Sequence, residues 1–192
     1  NAIVDFRDRR SQIESGALAE ERKVKLLESA KEEADPELLQ EGTNFHKLLE
    51  FLTPDSGNQH KPPMPSEQEL MNWMSIDQAS ANTLLLRAKT VLEAPELKRY
   101  LTSGEWIAAW NELDLVNQGG KSTRMDRLVE LEDHIAIIDY KLTIPNVGSE
   151  KYEKYRKQLL GYQAELSRIR QDKPLKCYLV SASGELVEID PH

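Results

Sequence analysis

The chain has 192 residues, of which 39% are apolar and 30% charged, with a net charge of −8. That is enough for one domain with its own core, and no apolar run approaches the length a membrane span needs, so no membrane partner is expected. The acidic balance by itself argues against a dedicated nucleic-acid binder, because DNA affinity comes largely from Lys and Arg neutralising phosphate.

In chain order, residues 17–33 are rich in Glu, Lys, Ala and Leu, good helix formers. Pro36 suits the first turn of a second helix. Gly42 and Thr43 interrupt that pattern, with Thr43 as a cap for a fresh start, and Phe45, Leu48, Leu49 and Leu52 then fall at helical spacing. Residues 54–65 hold four prolines and read as a loop. Ser66 followed by Glu69 forms a capping-box pattern for a short helix to about Trp73. Asp77 caps a longer helix through Leu84, Leu85, Ala88 and Val91, and a short helix lies near residues 95–101.

The second half changes character. Residues 106–116, 123–131 and 134–142 are strand-like, with Gly119 and Gly120 marking a turn between the first two. Residues 149–171 form a helix whose apolar stripe runs Tyr152, Tyr155, Leu159, Tyr162, Leu166 and Ile169. Two further strands, 175–181 and 185–189, flank a turn at Ser183 and Gly184. The expected fold class is α/β: a central mixed sheet flanked by helices, with residues 54–103 as a helical insertion.

Cys177 is the only cysteine. One thiol builds neither an intrachain disulfide nor a cysteine metal cluster, so a reducing, cytoplasmic setting is expected, and in its apolar run it reads as a small buried hydrophobe. The polar start shows no secretory signal. The chain does not begin with Met, and residues 1–192 are expected to be one domain cut from a longer chain. Local basic groups at Arg7, Arg9 and Arg10, at Lys121, Arg124 and Arg127, and from Lys151 to Lys157 read first as solvated faces.

The most informative segment is 124–141. With Glu132 and Asp133 as a two-residue hairpin turn, Leu131 faces His134 and Asp126 lies opposite Asp139. Opposed residues share a face, with Cβ atoms about 5 Å apart, and Lys141, two residues on, points the same way. Leu128, Ile135 and Ile137 make one face of these strands apolar, and Val129, Leu131, Ala136 and Ile138 the other, so helices should cover both. Two carboxylates in a partly buried place repel and lose hydration. Lys141 supplies one compensating charge, and a divalent cation with oxygen ligands, Mg²⁺ or Mn²⁺, is another. The same residues also read as a surface hairpin carrying an ordinary Asp–Lys ion pair.

Four blocks in order then resemble the RecB-type nuclease family of the PD-(D/E)xK superfamily. Gly42 to Glu50 resembles its helical block with a metal-binding histidine. Met125, Asp126, Arg127 and Leu128 resemble its first acidic strand. Ile137, Ile138, Asp139, Tyr140 and Lys141 resemble its D-Y-K strand, and Gln158 to Tyr162 its Q-x-x-x-Y helix. The resemblance spans residues 39–169. It implies a restriction-endonuclease-like core and a metal-dependent DNA nuclease, of the kind found at the C-terminal end of helicase–nucleases that process DNA ends. DNA and a helicase domain are then the implied partners, and the acidic charge is tolerable because other domains hold the DNA.

By that resemblance Asp126 and Asp139 are metal carboxylates, joined by His46 and the Tyr140 carbonyl, and Lys141 orients the attacking water. His46 alternatively packs beside Phe45 and Leu49. Gln158 and Tyr162, one turn apart, would position the DNA or the active-site strands, although the core stripe explains Tyr162 equally. Glu112 lies on the preceding strand with its relation to the site undecided. The family's glycine before the first Asp is replaced here by Thr123 or Arg124, and Leu142 precedes Thr143 after the D-Y-K string. The four-cysteine iron–sulfur cluster of some relatives has no counterpart. Two competing readings remain: a nuclease-like fold that no longer cuts, and an acidic interaction module.

Overall fold

The computed structural model describes residues 35–116 and 122–190. Residues 40–192 group as one compact unit. The expected helix at 17–33, the basic group at Arg7, Arg9 and Arg10, the Gly119–Gly120 turn and Lys121 lie outside the described residues. No helix among those described is long and apolar enough to cross a membrane.

Helix α1 runs Pro36–Leu52 without a break, so the interruption expected at Gly42 and Thr43 does not occur. A glycine inside a helix costs only about 1 kcal/mol, and one continuous face burying Asn44, Phe45, Leu48, Leu49 and Leu52 outweighs it. His46 is therefore a mid-helix residue. The loop then leads to α2 (Glu67–Met74), which opens on the expected Ser66–Glu69 capping box. Asp77 caps α3 (Gln78–Glu93), its side chain accepting the Ser80 N–H, and a 3₁₀ turn (Pro95–Leu97) leads into the short α4 (Lys98–Leu101).

Five strands follow: β1 (Ala108–Val116), β2 (Ser122–Glu130), β3 (Ile135–Lys141), β4 (Leu175–Ser181) and β5 (Leu186–Ile189). They lie side by side in chain order. β3 and β4 are parallel, joined by the crossover helix α5 (Glu150–Leu166), and the other pairs are antiparallel. This is the expected mixed α/β sheet. α5 stops at Leu166, short of 171, leaving Ile169 exposed beyond it.

The two apolar faces of the central strands separate as their alternation requires. Val129, Leu131, Ala136 and Ile138 pack with α1 to α4 on one side. Leu128, Ile135 and Ile137 pack with Tyr152, Leu159 and Leu166 of α5 on the other, together with Cys177. Burial pushes the Cys177 thiol up to about 12, so it is an inert core residue. The result is three layers, helix, sheet and helix.

Candidate active site

The hairpin register is as expected: Leu128 faces Ile137, Arg127 faces Ile138, and the Leu131 N–H donates to the His134 carbonyl. The β2–β3 ladder ends at Arg127, one pair short of the aspartates. Asp126 and Asp139 are thus not a backbone-bonded pair. The strands fork there, and the Tyr140 N–H donates to Asp126 Oδ2 at 2.8 Å.

A second irregularity meets the first. β1 pairs with β2 on both sides of Glu112 and Asp126 but not at them, and Glu112 has φ of 50°, in the left-handed region an L residue adopts only at some cost. Simple alternation would put Met125 on the face of Val129, yet Met125 packs with the α5 layer and Val129 with the opposite one. The strands exchange faces at this point, and Asp126 stands at the exchange. Sequence periodicity gave no sign of this.

Around the fork four elements converge. α1 brings His46, whose Nδ1 lies 3.4 Å from Asp126 Oδ2. β3 brings Asp139, 3% exposed, and Lys141, whose Nζ is 2.6 Å from Asp139 Oδ2. The ammonium thus sits directly on this buried carboxylate oxygen. α5 brings Tyr155, whose ring face lies 4.5 Å from Lys141 Nζ. Tyr155 packs at the edge of the core stripe, as expected, and its half-buried ring also faces the lysine. On the same helix Gln158 Nε2 donates to the Tyr162 hydroxyl, which donates to the Arg124 carbonyl, both at 2.7 Å. These two residues therefore tie α5 to β2, two positions before Asp126.

The electrostatics follow from burial and closeness. Burial, with Asp126 nearby, raises the Asp139 carboxyl to about 6, against the opposing pull of Lys141. Burial also works against ionisation of Asp126, but His46 and Lys141 outweigh it and hold Asp126 below the ordinary range. Burial disfavours the charged forms of His46 and Lys141, yet the neighbouring carboxylates raise both. Glu112 joins the same field: desolvation and then the charges of Asp126 and Glu50 raise it, while its pair with Arg124 at 2.7 Å opposes this.

The two carboxylates are oxygen donors suited to Mg²⁺ or Mn²⁺, an imidazole is a less usual donor for these ions, and the ammonium on Asp139 Oδ2 shows that this oxygen takes a cationic partner. Among the described residues no three His, Cys, Asp or Glu side chains are gathered tightly enough to enclose an ion; the Tyr140 N–H and Lys141 engage the carboxylates instead.

Arg127 corrects the sequence reading most sharply. Expected on a solvated basic face, it is fully buried. Its guanidinium donates to the carbonyls of Tyr100 and Pro54 and to Asn111 Oδ1 at 2.9, 3.0 and 2.6 Å. Its neighbour Arg124 is tied to Glu112 and Asp114.

The family model of the PD-(D/E)XK nuclease superfamily matches residues 19–190. No curated protein matches the chain. Among solved structures, protein VC1899 from Vibrio cholerae is similar at 10% sequence identity and a TM-score of 0.32, over 79% of this chain and 48% of that one. The chain thus spans about half that protein's length, and so distant a likeness carries no weight here. With a match over nearly its whole length, and a mixed sheet flanked by helices beneath it, the chain belongs to the PD-(D/E)XK nuclease superfamily.

Proposed function

We propose that this protein is a metal-dependent DNA nuclease of the RecB type, an exonuclease that hydrolyses phosphodiester bonds at DNA ends in recombination or repair. The observation that carries this reading is the fork of β2 and β3, where Asp126, Asp139 and Lys141 converge in a buried setting beside His46. In this reading Asp126, Asp139, His46 and the Tyr140 carbonyl hold Mg²⁺ or Mn²⁺. A bound divalent ion lowers the pKa of a water and neutralises the scissile phosphate. Lys141, steered by Asp139 and covered by Tyr155, orients the attacking water and offsets charge developing on phosphate. Gln158 and Tyr162 hold β2 at its distance from α5, which positions Asp126. Residues 54–103 are an insertion on the α1 side of the sheet, and a helicase domain of the same chain or complex holds the DNA.

The test is cleavage of end-labelled single- and double-stranded DNA with Mg²⁺, with Mn²⁺ and with EDTA. Metal-dependent cleavage should disappear in the Asp139→Ala and Lys141→Ala proteins while their circular dichroism stays unchanged. Full activity in Lys141→Ala would sink the assignment. A second reading draws on the internal pairing of the site, where Lys141 and the Tyr140 N–H already occupy carboxylate oxygens: a nuclease-like fold that guides DNA without cutting it. Mn²⁺ binding that depends on Asp126 and Asp139 favours the nuclease, and its absence favours the guide.

A further inference from the structure

We propose that the first half of α5 is the track along which the DNA backbone reaches Lys141, with Lys151, Lys154 and Lys157 as its phosphate contacts. This rests on the reading of the site as one that acts on DNA. In this acidic chain the described cations are mostly tied to carboxylates, from Lys89 with Glu93 to Lys176 with Glu188. Among the described residues five lysines stand without an ion pair: Lys47, Lys61, Lys151, Lys154 and Lys157. Three of those five lie on one helix at steps of three, and all three are exposed.

Their helix is also the one that faces the fork. Lys151, Tyr155, Gln158 and Tyr162 follow at steps of four, three and four, so they form one row. Tyr155 in that row lies against Lys141, and Tyr162 is bonded to the strand of Asp126. Lys154 precedes Gln158 by one turn, and Lys157 continues the ridge away from the site. Ser149 caps this end of the helix, where the helix dipole adds positive potential. Glu150 and Glu153 are on the same turns, but Glu153 pairs with Arg156, and the segment stays positive with both counted. From Lys151 to Lys157 is about 9 Å along the axis, so long flexible side chains can meet about two or three successive phosphates.

An amphipathic helix carries charges on its solvent side in any case; what marks these three lysines is that they have no ion pair among the described residues and share their helix with Tyr155 and Tyr162, which touch Lys141 and the strand of Asp126. The experiment is binding of labelled single- and double-stranded oligonucleotides to the full chain in EDTA, followed by fluorescence anisotropy over a salt series. One variant carries Lys151→Gln, Lys154→Gln and Lys157→Gln. A control with the same change in charge carries Lys89→Gln, Lys98→Gln and Lys176→Gln. The α5 variant should bind about tenfold more weakly or worse, and its salt slope on single strands should fall by about 2; the control should match the unaltered protein. Equal loss in both variants would reduce the effect to net charge and overturn the track. Unchanged binding in the α5 variant, or no DNA binding by the unaltered protein at low salt, would overturn it as well. Binding in EDTA is independent of cleavage, so a protein that binds through α5 but never cuts would refute the nuclease reading and keep the track.

Discussion

At the scale of single residues, the fork holds groups whose preferred charge states depend on one another. In the metal-free protein Asp139 is raised by burial and by Asp126 to about 6, above its ordinary 3.8, so its ionisation opposes folding above pH 6, and the penalty fades as pH falls through that value. His46 is raised through Asp126 despite its burial, so its contribution is present at low pH and lost as pH rises through its folded value. Asp126 is held below 3.8, and its contribution is constant until the pH falls below that range. Between pH 5 and 8 the first two act in one direction. The protein in EDTA should melt at a higher temperature at pH 5.5 than at pH 8, and Asp139→Asn should flatten the difference. Thermal unfolding by circular dichroism at both pH values checks this; a higher melting temperature at pH 8 would contradict it.

Tyr155 belongs to the same scale. A ring face over a partly desolvated ammonium contributes about 1 to 2 kcal/mol. Tyr155→Leu should lower kcat several-fold with KM little changed, and Tyr155→Phe, which keeps the ring, should restore it. Equal loss in both variants would show that the hydroxyl, not the ring face, matters.

At the scale of elements, Arg127 joins pieces that are distant in sequence. The carbonyls of Pro54 and Tyr100 come from the two ends of the helical segment, and Asn111 comes from β1. Asn111 in turn donates to the Thr53 carbonyl at the end of α1. One guanidinium thus fastens α1, the helical segment and β1 to β2, immediately beside Asp126. Arg127→Met fills similar space but takes the guanidinium donor from the Pro54 and Tyr100 carbonyls and leaves Asn111 Oδ1 only the longer bond from Thr53, and should cost about 3 kcal/mol or more. Chemical denaturation would register the loss. A stability within about 0.5 kcal/mol of the unaltered protein would mean that those acceptors find water instead.

At the scale of the whole molecule, binding at the fork should stabilise everything around it. A ligand that binds only the folded state raises stability with concentration, by about 2.7 kcal/mol at one hundred times Kd. Mn²⁺ should therefore raise the melting temperature progressively, and Asp126→Ala should abolish the rise. A rise that persists in Asp126→Ala would place the ion elsewhere.

Much of the architecture was legible in residue order, because it depends on local preference and on period. The Ser66 capping box, the Asp77 cap, the turn at Glu132 and Asp133 and the two apolar faces of β2 and β3 are all local patterns, and each is found in the structure. The ordered motifs brought His46, Asp126, Asp139 and Lys141 into view, along with Gln158 and Tyr162. The tertiary structure alone decided how these meet. A continuous α1 overrode Gly42 and Thr43, since the gain from burying one helical face exceeds a local propensity. The fork and the exchange of faces at Glu112 and Asp126 break the strand period, so no periodic reading could reveal them. Arg127 in the core and Tyr155 over Lys141 depend on acceptors and cations supplied by distant segments. Sequence determines which groups are available and which face each element buries; only folding in three dimensions sets which charges lose water together, and that loss of water gives the fork its electrostatic character.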